Sequence, residues 1–222
     1  MRFQDAARDG RAVVYAGIQA DPLVATAADL LAAASVPMRV MARAVMNGVT
    51  TERSVWTAMF PTLFGAAAAD GERQQAEAIL DVALDVAERG EAVRSQFRGA
   101  IVEELTARLL SGRLGVAVRR ERRILFDGVR SEIHPYDVTV EHDERPEAYD
   151  CKWGARGIND DVLHQLDDAR RNAIDEDIAL RVALVVFDAR RSCDVRLARS
   201  TAPTAGIDVV SLETLDDLAT AR

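Results

Sequence analysis

Three side chains within sixteen positions carry most of the chemistry that this 222-residue sequence offers: Asp137, Asp150 and Lys152. Two runs that alternate in polarity, His134–Val140 and Glu147–Trp153, flank a turn around Asp143 and Glu144, a pattern that predicts a β-hairpin. Side chains alternate along a strand, so Tyr136, Val138 and Val140 share one face while Asp137 and Thr139 share the other. In the second strand Tyr149, Cys151 and Trp153 form the apolar face, and Asp150 and Lys152 point oppositely. A turn centred on Asp143 and Glu144 sets Asp137 directly across from Asp150. Like charges facing each other in a sheet are destabilising, with Cβ atoms only about 4.5–5.5 Å apart. A hard divalent cation relieves that repulsion. Mg²⁺ is held by one or two carboxylates, keeps several waters and completes its shell from a phosphate. Lys152 lies two residues beyond Asp150 on the same face, placed to hold a water or to offset charge on a phosphoryl oxygen. The expected chemistry is metal-dependent hydrolysis of a phosphodiester.

The lysine is singular: 27 of the 28 basic residues are Arg, and Lys152 is the one Lys. Arg and Lys exchange freely on solvated surfaces, but a compact ammonium is a different tool from a planar guanidinium. A site that needs the former resists the exchange. The rest of the inventory closes other routes. Cys151 and Cys193 are too few for a zinc ligand set or a disulfide scaffold. Cys151 reads as buried packing on the face away from Lys152, and no partner that would activate a thiolate is evident. His134, His142 and His164 fit no zinc spacing. No glycine-rich phosphate loop of the Walker kind occurs.

The elements that must position the hairpin fall into two patterns. Residues 1–92 read as an all-helical region, with Ala-rich segments Leu23–Ala34, Met38–Asn47, Thr51–Phe60 and Glu72–Arg89. These are punctuated by Pro22, Pro37, Gly48, Pro61, Gly65, Gly71 and Gly90. In the last segment Ile79, Leu80, Ala83, Leu84, Val86 and Ala87 recur at helical spacing. The short helices around Gly48–Thr51 allow a DNA-reading helix-turn-helix, as any small bundle does. From residue 93 to 222 the grammar changes. A helix from Ala92 or Gln96 to Leu110 precedes strands Val116–Phe126, Ile133–Glu141 and Glu147–Trp153. A helix Asp160–Asn172 follows, then a strand Leu180–Phe187 whose unbroken apolar core predicts burial on both faces. A strand from Gly206 to Ser211 and a helix Leu212–Ala219 close the chain. This order predicts an α/β fold with a mixed sheet flanked by helices.

At this point the residues match a family. The second pattern resembles the PD-(D/E)XK nuclease superfamily, the restriction-endonuclease-like fold, over roughly residues 96–220. In that family a Glu-bearing helix precedes a hairpin that carries Asp and then Asp or Glu-x-Lys. The resemblance implies that Asp137 and Asp150 are metal carboxylates, Lys152 the motif lysine and the main-chain carbonyl of Cys151 a further metal ligand. It implies Glu103 as the helix glutamate, since Gly99-x-x-x-Glu103 matches the family's glycine-then-Glu opening, with Glu104 as the fallback. Gln165, in Leu163-His-Gln-Leu166, resembles the glutamine that some branches place beside the site to position water and phosphate. Two departures stand: the proline precedes Asp137 by two residues instead of one, and the second acid is the shorter Asp. The implied cofactor is Mg²⁺ or Mn²⁺, and the implied partner is nucleic acid, with DNA the expected substrate.

Charge bears on that expectation in both directions. The net charge of -8 argues against indiscriminate affinity for polyanions. Residues 94–130, however, hold nine Arg against four acids. Arg119, Arg120, Arg122 and Arg123 on the strand beside the hairpin, with Arg156 after the motif, are candidate phosphate contacts. Two other readings stay open: a catalytically inactive member of the same fold that binds nucleic acid or protein, and a DNA-binding regulator whose N-terminal bundle reads DNA. The N-terminal helices could also bind a protein partner or a second copy. No run of about 18 uncharged apolar residues is present, so no membrane span is expected. Acidic Asp5 and Asp9 precede only a short apolar run, Ala12–Ile18, which does not match a secretory leader, and a cytoplasmic location is expected.

Overall fold

The structure is a computed structural model that describes residues 1–6, 10–130, 134–142 and 144–220. Ile133 and the turn residue Asp143 of the expected hairpin lie outside the described residues, as does Asp9. The chain forms two compact units: Gly10–Leu105, and Met1–Asp9 together with Thr106–Arg222.

The first unit holds helices α1 (Gly10–Gln19), α2 (Pro22–Ala32), α3 (Val36–Asn47), α4 (Arg53–Met59), α5 (Pro61–Phe64) and α6 (Asp70–Ala87). It also holds most of α7 (Glu91–Ser111). Local chemistry sets the ends. Asp21 accepts the Leu23 N–H at 2.9 Å while Pro22 opens α2, a position where its missing N–H costs nothing. Between α3 and α4 Gly48 is required by close approach, because a Cβ there would come within 2.5 Å of the Trp56 ring. Trp56 is itself buried and donates through Nε1 to the Thr50 carbonyl at 3.0 Å. In α6 Ile79, Leu80, Ala83, Leu84, Val86 and Ala87 are all buried, the face expected from their spacing.

The second unit is α/β, built on one open mixed sheet. Its strands are β1 (Arg2–Asp5), β2 (Ala117–Phe126), β3 (Val129–Arg130), β4 (Tyr136–Glu141), β5 (Glu147–Lys152), β6 (Arg181–Val186) and β7 (Asp208–Val210). The order across the sheet is β1-β2-β4-β5-β6-β7, with β3 a short hairpin partner of β2. Neighbours from β1 to β5 run antiparallel, and β5, β6 and β7 run parallel. Parallel neighbours need crossovers. Helix α8 (Asp160–Asp175) supplies the first and α9 (Arg190–Leu197) the second. Asn159 caps α8 by accepting the Val162 N–H at 3.0 Å, and Asp160 and Asp161 place negative charge at its positive end. Val182, Leu184 and Val186 pack with Leu163, Leu166, Ala169 and Ala173 in one buried cluster. The central position expected for β6 follows from this burial.

Several differences from the sequence expectation have physical causes. The division falls inside α7, past residue 92, because a helix can continue through a boundary that glycine does not mark. Strand β1 joins the sheet from the region read as all-helical; its four residues are too few and too polar to show a period. Helix α9 was not expected, since Arg190–Leu197 buries only Cys193. The helix expected at Leu212–Ala219 is only a 3₁₀ turn over Leu215–Ala219.

The starting ends of β5 and β6 are tied by charge. Glu147 accepts from Arg113 Nη1 at 2.6 Å and from Arg181 Nη1 at 3.2 Å, and it also receives the Tyr149 hydroxyl. Arg113 Nε donates onward to the Leu218 carbonyl at 2.7 Å, and Arg181 Nε pairs with Asp208 at 2.8 Å.

Candidate functional site

The far end of β5 holds the candidate residues. The register pairs Val138 with Tyr149, Thr139 with Ala148 and Val140 with Glu147. The register stops one step short of Asp137 and Asp150, the pair that the turn was expected to set across from each other. Instead of continuing the ladder, Asp137 Oδ2 accepts the main-chain N–H of Cys151 at 2.6 Å. Asp150 is buried at 5% exposure. Its Oδ1 is shielded from solvent and ion-paired with the Lys152 ammonium, and it receives no hydrogen bond of regular geometry.

Burial is the largest influence on Lys152 and disfavours its charge, but attraction to Asp150 and then Asp137 overrides it and raises the pKa above the ordinary lysine value. All three groups therefore sit within electrostatic reach of one another. Burial raises the pKa of the Tyr149 phenol, with Arg181 opposing and Glu147 reinforcing. Both shifts carry the same sign for stability. Each group is protonated more firmly in the folded chain, so its contribution is complete below the unfolded pKa, about 10 for either group, and fades as pH rises through the folded value. The midpoint of urea unfolding should fall steadily above about pH 10, and Asp150→Ala should flatten that fall. An unchanged midpoint up to pH 11.5 would contradict the lysine's placement.

Two residues that sequence reading missed position Lys152. The turn after β5, Ala155–Gly157, packs on the lysine stem: a Cβ at Gly157 would lie 3.0–3.1 Å from Lys152 Cβ, Cγ and Cδ. Asp188, at the end of β6, holds that turn by accepting the Ala155 N–H at 3.0 Å and its own neighbour's, Ala189, at 2.8 Å. The available signals were a glycine closing Gly154-Ala-Arg-Gly157 and an acid ending an apolar strand beside a parallel one, where α/β sheets place sites. Gly157→Ala should displace the stem by a few tenths of an ångström. Because Lys152 is the sole lysine, reductive ¹³C-methylation yields one side-chain signal; the substitution should shift it and lower its titration midpoint while leaving far-UV circular dichroism unchanged.

The other sequence-derived residues are distributed differently. Gln165 is buried, and its amide clasps the main chain of His134: Oε1 accepts the N–H and Nε2 donates to the carbonyl, both at 3.1 Å. It thereby fixes the lead-in to β4. Glu103 lies in the helical unit, 5% exposed, accepting Tyr15 Oη at 2.5 Å and Gln19 Nε2 at 2.7 Å; Glu104 beside it is half-buried. The Cys151 thiol donates toward Thr106 Oγ1 at 3.5 Å, on the face opposite Lys152. The β2 arginines do not form one patch. Arg119 pairs with Thr139 and Arg120 with Val138, so successive residues point to opposite faces. Arg122 is engaged by Glu141 at 2.6 Å and by Asp5, whereas Arg119 is exposed, Arg123 half-buried, and Arg156 exposed in the turn after β5. His142 Nδ1 accepts main-chain N–H groups of Glu144 and Arg145.

A divalent cation fits the carboxylate pair on one observation, the shielded Asp150 oxygen that meets only an ammonium. Among the described residues no group of three or more His, Cys, Asp or Glu side chains gathers to enclose an ion. Asp137 and Asp150 would hold one from a single side, and water and substrate would complete the shell. Among the described residues no helix is long and apolar enough to cross a membrane. No protein-family model, curated protein or solved structure matches the chain.

Proposed function

We propose that the chain is a Mg²⁺- or Mn²⁺-dependent nuclease with a restriction-endonuclease-like core, acting on DNA. The observation that supports this reading is the convergence of Asp137, Asp150 and Lys152 where β4 and β5 part, two carboxylates and an ammonium in a partly desolvated setting. Asp137 and Asp150 would hold the cation, with the Cys151 carbonyl a further ligand. A bound divalent ion supplies Lewis-acid polarisation of the phosphoryl oxygen and lowers the pKa of water. Lys152 neutralises charge that gathers on a non-bridging oxygen during in-line attack. Gln165 fixes the backbone ahead of Asp137 and so keeps that carboxylate in place. The N-terminal helices select the substrate or a partner.

Incubating the purified chain with plasmid, linear duplex, single-stranded DNA and RNA, with Mg²⁺, Mn²⁺ or EDTA, tests the reading. Metal-dependent cleavage that disappears in Asp150→Ala is the expected result. Cleavage equal in parent and variant, or none with any substrate, rejects it. The net charge of -8 favours one other reading, a non-catalytic module of the same fold. Calorimetric titration with Mn²⁺ separates the two: heat that depends on Asp137 and Asp150 is expected of the enzyme alone.

A further inference from the structure

A cleft of about 360 Å³ is lined by Ile158, Asp160, Asp161, Arg196, Arg199 and Ser200. Its position follows from the chain: Ile158 directly succeeds Gly157, the residue packed on the Lys152 stem. Arg196 Nε donates to the Ile158 carbonyl at 2.8 Å, which fixes the base of the guanidinium and leaves Nη1 and Nη2 without a partner among the described residues. Arg199 is exposed and makes no side-chain hydrogen bond or ion pair there. The two acids differ. Asp160 accepts the hydroxyls of Ser200 at 2.5 Å and Thr201 at 2.6 Å, so its oxygens are committed, whereas Asp161 is exposed with a free carboxylate. Neither arginine pairs with either acid. Opposite charges thus line one small cleft without neutralising one another.

Two unpaired guanidinia suit a phosphate, whose oxygens they can meet in bidentate fashion. A lone carboxylate suits an exocyclic amino group, as in acceptance from cytosine N4. The volume is at the small-ligand end of the range for binding sites. We propose that this cleft receives the nucleotide flanking the phosphodiester at Asp137, Asp150 and Lys152, with Arg196 and Arg199 on its phosphate and Asp161 on the amino group of a cytosine base. The inference rests on the nuclease reading and deepens it by naming a subsite on α9 and the start of α8.

The test is anisotropy of labelled dC₁₂ and dT₁₂ with the full chain in EDTA across a salt series, alongside Arg196→Ala, Arg199→Ala and Asp161→Ala. Each arginine variant should reduce the slope of log K against log salt by about 0.7, the single-strand value per phosphate contact. Asp161→Ala should abolish the preference for dC₁₂ and leave dT₁₂ binding within about twofold, since a lost base contact does not alter phosphate contacts. Unchanged slopes in both arginine variants overturn the phosphate contacts. An unchanged dC to dT ratio overturns the base contact, and no binding of either oligonucleotide overturns the subsite outright. Failure of the nuclease reading registers separately, as absence of Asp150-dependent cleavage with Mg²⁺.

Discussion

Lys152→Arg is expected to lower kcat/KM for the proposed metal-dependent DNA cleavage by about 10²- to 10³-fold, the effect of removing one well-placed stabiliser of transition-state charge. The charge survives this substitution, so the loss isolates shape. The stem of Lys152 runs against Gly157, where even a methyl group would be 3.0–3.1 Å away. The turn that carries Gly157 is anchored at Asp188 and cannot retreat without breaking those hydrogen bonds. A planar guanidinium, broader than the ammonium, cannot place one donor where the ammonium stands. Lys152→Ala should cut the rate at least as far and add a stability cost that Arg does not. It leaves Asp150, 5% exposed, with a shielded oxygen and no counter-charge, and removing one partner of a buried pair costs about 3–5 kcal/mol. Mg²⁺ should recover part of that stability in Lys152→Ala, since a cation substitutes for the missing ammonium. Steady-state kinetics on linear duplex DNA and urea unfolding with and without Mg²⁺ measure the two effects. A rate within threefold of the parent in Lys152→Arg would show that the ammonium is ordinary surface charge.

How far the sequence carries depends on which physical signal each element emits. Strand period and turn position were enough to set the register of β4 on β5, with Val138 against Tyr149, because a register is fixed once one face must be buried. The same alternation governs β2, yet four arginines in five positions read as one patch until β4 pairs with them and sends them to opposite faces. Strand β6 was legible since an uninterrupted apolar run has few alternatives to a central parallel strand. Helix α9 was not legible: Arg190-Arg-Ser-Cys-Asp-Val-Arg-Leu197 has no apolar stripe, and it is the need to cross from β6 to a parallel β7 that makes a helix there. Arg196 falls on that unseen helix and Arg199 just past its end, so the arginines of the proposed subsite were invisible for the same reason. Gln165 shows a different limit. A residue type beside a motif suggests contact with substrate, whereas both ends of its amide meet the His134 main chain, and only coordinates distinguish a group that touches substrate from one that holds the backbone.

Glu147→Ala destabilises the chain by about 3–5 kcal/mol, comparable to the loss of a large core side chain. The reason lies in what remains. The Arg113 side chain is 5% exposed and Glu147 13%, so the pair is screened little by solvent. Without Glu147, Arg113 keeps only its bond to the Leu218 carbonyl, and an uncompensated guanidinium stays buried. Arg181 loses one carboxylate but retains Asp208 and the Tyr149 hydroxyl, so Arg113 dominates the cost. Glu147→Gln should cost less, since an amide oxygen still accepts from Arg113 although the charge is gone. The double variant Arg113→Leu with Glu147→Leu should recover most of the loss, because replacing both ions by apolar groups is often neutral or better. A cost below about 1 kcal/mol in Glu147→Ala would place the network among surface pairs of little value. The network also bears on the proposed activity. It joins the starting ends of β5 and β6 to the chain's last turn, while Asp150 and Lys152 occupy the opposite end of β5. A strand secured at one end can carry like charges at the other without slipping register. Glu147→Ala should therefore weaken cleavage at 37 °C far more than at 15 °C, a temperature dependence that loss of a group in contact with substrate would not produce.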